Sequence, residues 1–136
     1  MTPGELYQWL ALRQQIFVLE QQCLFPDMDG RDTEALHLLG GFGDAVQAGL
    51  RIFPPIEKGV WHIGRIVLAP TVRGQGYAHE MIRMAIAHCH AVAPDATIEI
   101  EAQTGLQSWY GQFGFTAVSR PFILDGLSHV RMHYSP

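Results

Sequence analysis

Ile63-Gly-Arg-Ile-Val-Leu-Ala-Pro-Thr-Val-Arg-Gly-Gln-Gly-Tyr-Ala78 is the stretch on which the reading of this chain turns. An apolar strand runs into a short loop, and the loop opens directly onto a helix. Gly74 and Gly76 let the backbone approach a ligand closely. Amides of the first helical turn have no partner inside the helix, so they point outward with the positive end of the helix dipole. Together these features make an anion site suited to a phosphate or pyrophosphate. Arg73 can add a charge-assisted hydrogen bond. The loop lacks the Gly-Lys-Ser/Thr ending of nucleotide-hydrolysing phosphate loops. It also lacks Gly-x-Gly-x-x-Gly, and no early strand precedes it as a dinucleotide fold requires.

Downstream, Gly76 to about Val92 is an amphipathic helix. Ala78, Met81, Ile82, Ala85, Ile86 and Cys89 share one face, with Glu80, Arg83 and His90 on the others. Pro94-Asp95 ends it. Thr97 to Ala102 alternates as a half-buried strand does, with Ile98, Ile100 and Ala102 on one side and Glu99 and Glu101 on the other. A short helix over Leu106 to Phe113, a strand over Phe115 to Val118 and a last strand over Ser128 to Tyr134 follow, the last after an Asp125-Gly126 turn.

Upstream, Val60 to Leu68, Ala45 to Phe53 and Leu36 to Phe42 read as strands, with Gly43-Asp44 as a hairpin turn. Cys23 to Glu34 is a loop, marked by Pro26, Gly30 and the acidic residues Asp27, Asp29, Asp32 and Glu34. Glu5 to Leu19 has the helical period: Trp9, Leu12, Ile16 and Leu19 form a stripe beside Leu6, Leu10 and Phe17. Arg13 lies among them and reads as a paired structural arginine whose stem packs along the core. This order of elements predicts an α/β (α+β layered) fold in one domain spanning 1–136.

The 136 residues, 48% hydrophobic and 16% charged, suffice for a real core without staples. A net charge of -4 and the absence of a basic run argue against a nucleic-acid partner. No apolar stretch approaches the roughly 20 residues that cross a bilayer, and the start, Thr2-Pro3-Gly4-Glu5, does not read as a signal peptide. A cytoplasmic protein without a membrane partner is expected. Cys23 and Cys89 have neither metal-ligand nor redox spacing, so a disulfide is not expected.

Arg73-x-x-Gly76-x-Ala78, after an apolar strand and an Ala-Pro step, resembles the acetyl-CoA motif of the GNAT superfamily. Leu106-Gln-Ser-Trp-Tyr110-Gly-Gln-Phe-Gly114-Phe115 resembles that superfamily's later helix-turn segment. A narrower resemblance is to its ElaA-like branch. It is carried by Leu12-Arg13, Phe17-Val18-x-Glu20-Gln21-x-Cys23, Asp27-x-Asp29-Gly30-x-Asp32, Ile63-Gly64-Arg65, Ala102-Gln103 and Asp125-Gly126-x-x-His129. The resemblance implies a GNAT acyl-CoA N-acyltransferase fold with a mixed central sheet flanked by helices. It departs from that pattern in one place: only Met1 to Gly4 precede the opening helix, so the usual first strand is missing. An open sheet edge would result, a surface that is often paired or covered, and a homodimer is one way to do so.

The resemblance further implies acetyl-CoA as acyl donor and an N-acetyltransferase acting on an amine. Backbone groups of Ile66, Val67 and Leu68 would align the pantetheine as an added strand does. Amides across Arg73, Gly74, Gln75, Gly76, Tyr77 and Ala78 would hold the pyrophosphate, and Tyr110 would stand near the thioester sulfur. Chemistry agrees with these roles. An alkyl amine with a pKa of about 10 must lose a proton before it attacks a thioester, which calls for a general base. A leaving thiolate gains from a donor such as a phenol.

Glu101 is the expected base, with Glu99, His62 and Glu20 as rivals, and each can equally be a solvated or ion-paired group. Tyr110 beside Trp109 can also be plain core. His88 and His90 point to different faces of their helix and the other histidines are scattered, so no metal is expected. Asp27 to Glu34 lacks the spacing of a calcium loop. It reads either as a solvated loop or as a wall that draws in a cationic amine. A small-molecule or peptide amine acceptor fits all of this, as does a non-catalytic acyl-CoA-binding sensor, while a general interaction scaffold predicts no CoA binding.

Overall fold

The computed structural model describes residues 1–22, 27–55 and 59–134. Helix α1 spans Pro3–Arg13. It starts at Pro3, two residues before the hydrophobic pattern does, because Thr2 and Glu5 close a capping box. The Thr2 hydroxyl accepts from the Glu5 amide at 3.1 Å, and the Thr2 amide donates to the Glu5 carboxylate at 2.8 Å. Proline at the first helical position adds to this start.

After Arg13 the winding widens to a π-helix over Gln14–Glu20, closed by the Gln21 amide donating to the Ile16 carbonyl at 3.1 Å. The wider turn rotates the second half away from the stripe that a constant period predicts. Trp9, Arg13 and Ile16 are buried, whereas Leu6 and Leu19 are 38% and 59% exposed.

Seven strands follow: β1 Leu36–Gly40, β2 Ala48–Phe53, β3 Val60–Leu68, β4 Thr97–Gln103, β5 Phe115–Ala117, β6 Phe122–Leu124 and β7 Leu127–Tyr134. Helix α2, Tyr77–Val92, joins β3 to β4, and α3, Gln107–Gly111, lies between β4 and β5. The sheet runs β1-β2-β3-β4-β7-β5, with β6 also on β7. Among the described residues only β3 and β4 pair in parallel, and α2 is the crossover such a pair requires. β6 is the strand the sequence pattern does not reveal. Three residues after Pro121 are too few to show a period, and only pairing with Leu127, Ser128 and His129 makes them a strand.

Helices cover both faces. Met81, Ile82, Ala85 and Cys89 of α2 pack with Leu50, Trp61, Ile98, Ile100, Val130 and Met132. On the other face Trp9, Ile16 and Val67 form a second cluster with Leu12, Phe17 and Leu39 around it. Gly49 makes that contact possible: a Cβ there would stand 2.5 Å from the Trp9 ring. Cys89 is free and buried, and desolvation pushes its thiol up to about 11, so it packs as a small hydrophobe. Cys23 lies outside the described residues. Among them no strand precedes α1, and β1 pairs only with β2.

Candidate active site

A bulge in β3 builds the site. β2 pairs Arg51 with Gly64 but Gly49 with Val67, so β3 carries one extra residue between those pairs. Arg65 sits there at φ 51°, in the left-handed region. Burial records the slip. Trp61 and Ile63 face α2; after the bulge that role passes to Ile66 and Leu68, while Val67 faces α1.

Next to the bulge, β3 and β4 part company. Their parallel ladder holds Val60, Trp61 and His62 against Thr97, Ile98 and Glu99, then stops. From Ile63 onward the β4-facing edge of β3 is unpaired, and a cleft of about 240 Å³ opens between the strands. Ile66 and Glu101 line opposite walls, and Tyr110 lines it from α3. Ile66, Val67 and Leu68 thus present backbone along a free strand edge, although the Leu68 carbonyl already accepts from Arg73 Nε at 3.1 Å.

Past β3 a turn of 3-10 helix over Pro70–Val72 leads to Gly74 at φ 74° and Gly76 at φ 85°. Gly76 is the N-cap of α2 and no side chain caps that end. The first helix amide to bond back is that of Glu80, to the Gly76 carbonyl at 3.2 Å. The amides of Tyr77 and Ala78 therefore open the helix, next to Gln75, without a capping side chain. A Cβ on either glycine would meet nothing within 4 Å, so the surface there is open to a ligand.

Arg73 differs from expectation. Its guanidinium is gripped by Glu20, Nη1 to Oε1 at 2.8 Å and Nη2 to Oε2 at 3.1 Å. Glu20 is accordingly held below the usual carboxylate range by that hydrogen bond, and it is an ion-pair partner rather than a base in the cleft.

Tyr110 is 8% exposed and packed by Trp109 and Phe115, with ring centroids at 4.9 and 6.2 Å. Burial pushes its hydroxyl up to about 12, so it keeps its proton at neutral pH and has an O–H to donate. No side chain or backbone group among the described residues bonds that hydroxyl.

The carboxylates of β4 divide. Glu99 receives His133 Nε2 at 3.0 Å, Arg131 Nε at 3.4 Å and His62 Nδ1 at 3.4 Å. Partial burial alone would raise its carboxyl, but the His133 hydrogen bond and the charges of His62 and Arg131 outweigh that and hold it below the ordinary value. Glu101 lines the cleft and has no ion pair among the described residues. His62 of β3 and Glu99 and Glu101 of β4 bring ligand-type atoms within 4.8 Å of one another, a convergence of two strands that sequence spacing alone does not reveal.

The aspartates of the acidic loop are ion-paired, whereas its Glu34 is exposed. Asp27 pairs with Arg13 Nε and Arg65 Nε, both at 2.9 Å. Asp32 takes Arg13 Nη1 at 2.6 Å and Arg51 Nη1 at 3.3 Å, and Asp29 takes Arg51. Hydrogen bonds from Arg51 hold the Asp29 carboxyl far below the usual range. Arg13 and Arg51 are buried, so these charges are matched by arginines from α1 and β2, while Asp27 also lines the cleft. The structural reading of Arg13 is borne out.

Five of the six short segments that carried the narrower resemblance converge on one place. Phe17, Gln21, Asp27, Arg65, Gln103 and His129 all line the cleft, from five separate parts of the chain. Gln103 and His129 had no role assigned from sequence; only their membership of those segments marked them.

Residues 43–136 match the family described as acetyltransferase (GNAT) domain. The ElaA protein of Escherichia coli is 32% identical over 137 residues, covering 97% of this chain and 88% of ElaA. Its crystal structure superposes with a TM-score of 0.91 at 30% identity, over 99% of this chain and 93% of that one. An acyl-CoA N-acyltransferase from Pseudomonas aeruginosa superposes with a TM-score of 0.93 at 33% identity, with the same coverage of 99% and 93%.

Proposed function

The chain belongs to the GNAT acetyltransferase family and is an acyltransferase, and from that premise we propose that it moves an acetyl group from acetyl-CoA to a primary amine. The amine belongs to a small molecule or a peptide. The observation that carries this reading is the free edge of β3 leading straight into the uncapped, two-glycine start of α2. Pantetheine amides pair with the backbone of Ile66, Val67 and Leu68, and the pyrophosphate lies on the amides from Arg73 to Ala78. We take residues 1–136 to work as one catalytic domain.

The step balances without a redox partner. Glu101, directly or through one water, takes a proton from the substrate ammonium. The freed amine attacks the thioester carbon, whose carbonyl is polarised by backbone amides near the bulge. As the tetrahedral intermediate collapses the C–S bond breaks, and Tyr110 gives its proton to the thiolate. The nitrogen sheds its second proton to water on collapse and the tyrosinate is reprotonated by the proton that Glu101 carries, so the products are an amide, CoA and one proton released to solvent. No metal enters this scheme. Glu99 spends its lone pairs on His133, His62 and Arg131 and so is a poor ligand beside Glu101.

A cytoplasmic setting suits an acetyl-CoA user. The unpaired edge of β1 is where a second copy could add a strand, which sedimentation would reveal. Among the described residues no helix is long and apolar enough to cross a membrane.

Release of free CoA thiol from acetyl-CoA with a panel of amines tests the reading. Turnover with at least one amine is expected, and so is a clear rise in melting temperature with acetyl-CoA over that with free phosphate. Stabilisation without thiol release for any amine would favour a sensor of the same fold. No stabilisation at saturating acetyl-CoA would remove the foundation.

A further inference from the structure

Beyond the loop that takes the pyrophosphate, α2 forms one wall of a second groove of about 520 Å³, closed on the other side by Gln112 and Phe113 after α3 and by Tyr134 at the end of β7. His79, Arg83, Ile86 and His90 line it from the helix. His79 stands in the first turn, three residues past Gly76, and Arg83 one turn further on the same face. Arg83 is exposed and has no carboxylate partner among the described residues. It stands apart from Arg13, Arg51, Arg65, Arg73 and Arg131, each of which is ion-paired.

His79 is held in place. Its Nε2 meets the Gln112 Oε1 at 3.2 Å, and its ring lies 5.4 Å from Trp109 and 5.0 Å from Phe113. With Nε2 as the donor to that amide oxygen, Nδ1 is left for a ligand, and on the protonated ring it is a second donor. At the far end of the groove His90 keeps Nε2 out of solvent with no partner among the described residues, a buried polar atom that a ligand edge can satisfy.

CoA carries a third phosphate, on the 3′ oxygen of its ribose, a few bonds from the pyrophosphate. If the pyrophosphate sits at the start of α2, this dianion falls within reach of side chains one and two turns down that helix. We propose that His79 and Arg83 form a site for the 3′-phosphate of the acyl donor, so that the protein selects CoA thioesters over their 3′-dephospho analogues. The purine then lies toward Phe113, whose ring can stack, and toward the unsatisfied nitrogen of His90. This rests on the proposed use of acetyl-CoA, and it adds a specificity that the loop amides cannot supply, since both analogues carry the same pyrophosphate.

Titration calorimetry with CoA and with 3′-dephospho-CoA separates the two ideas. The parent protein is expected to bind CoA about tenfold or more tightly than the dephospho analogue, the weight of a charge-assisted contact. Arg83→Ala should lower CoA affinity to that of the analogue while leaving the analogue's affinity unchanged. Arg120→Ala, which removes an exposed charge elsewhere, should leave the ratio intact. Melting curves without ligand should coincide for all three proteins, because Arg83 makes no contact that folding needs. Equal affinity of the parent for both compounds, or a ratio that survives Arg83→Ala, overturns the 3′-phosphate site and leaves the acyltransferase reading standing. Failure of the parent to bind either compound overturns both.

Discussion

Two charged neighbourhoods flank β3, and they are built on opposite principles. Behind the bulge, Arg13, Arg51 and Arg65 meet Asp27, Asp29 and Asp32, residues up to 38 positions apart, and their charges are matched. Beyond β3, the loop from Arg73 to Ala78 is contiguous, exposed and left without a cap. The first neighbourhood ties α1, the acidic loop, β2 and the bulge residue into one frame. The second keeps polar groups ready for something outside the protein. Satisfied groups hold shape and unsatisfied groups bind, and the contrast predicts which substitutions will harm folding and which will harm function.

The largest effect should come from breaking the frame. Asp27 is 6% exposed and its partner Arg13 is fully buried. Asp27→Ala leaves that guanidinium short of a partner in the interior, which costs about 3 kcal/mol or more. Urea denaturation should show this as a lower midpoint with an unchanged slope. CoA affinity measured on the folded fraction should hardly move, because none of these residues belongs to the proposed pyrophosphate loop from Arg73 to Ala78. A loss of affinity as large as the loss of stability would mean that the two neighbourhoods are one.

Tyr110→Phe asks the same question of the cleft. The ring and its contacts with Trp109 and Phe115 survive, so stability at neutral pH should change little. If the hydroxyl protonates the departing thiolate, the single-turnover rate should fall about 10²-fold. A rate that stays at the parent value removes Tyr110 as the acid. Alkaline titration gives a second readout. The folded pKa is raised to about 12, above an unfolded value near 10. The folded state therefore binds the proton more tightly, and the stability tied to it is intact below pH 10 and lost as pH climbs toward 12. Tyr110→Phe should lack that decline.

The loop was more legible in the sequence than the frame was. Gly74, Gly76 and the helix after them lie in one run, and the physics of a helix start needs nothing from elsewhere. The alternation Ile98, Ile100, Ala102 against Glu99 and Glu101 came through for the same local reason. The acidic loop did not, because whether Asp27 is solvated or paired is decided by arginines on α1 and β3 that no local pattern brings to it. The bulge at Arg65 was also out of reach. A one-residue slip changes which of Val67 and Ile66 faces α2, and both are apolar. The π-helical turn from Gln14 hid behind a pattern that fits an ordinary helix, so Leu19 reads as core and is exposed.

Gly76→Val is the counterpart of Asp27→Ala. The added side chain meets nothing in the protein, but φ 85° is a region that a β-branched residue adopts only under strain. Stability should fall by about 1 kcal/mol. CoA affinity should fall about tenfold, because the proposed pyrophosphate site uses the open space beside Gly76. Calorimetry that finds parent-like affinity would show the loop to have been misassigned.

The smallest effect concerns Arg73, the residue that belongs to both neighbourhoods. It lies in the proposed binding loop, yet Glu20 holds it as the frame's arginines are held. Both side chains are about two-fifths exposed, so water screens the pair and it adds little to stability. A pyrophosphate at the start of α2 would compete with Glu20 for the same guanidinium. Arg73→Ala should then weaken CoA binding by about 1 kcal/mol or less, since the parent must give up one ionic contact to make another. Glu20→Gln separates the possibilities. It keeps the shape of the side chain but removes its charge, so Arg73 turns to the ligand without leaving a carboxylate behind. CoA affinity should rise severalfold, and Arg73→Ala made in the Glu20→Gln background should cost more than in the parent. If instead Arg73 serves only to pin the π-helical turn to the end of β3, Glu20→Gln will leave affinity unchanged and the double variant will behave as the sum of its parts.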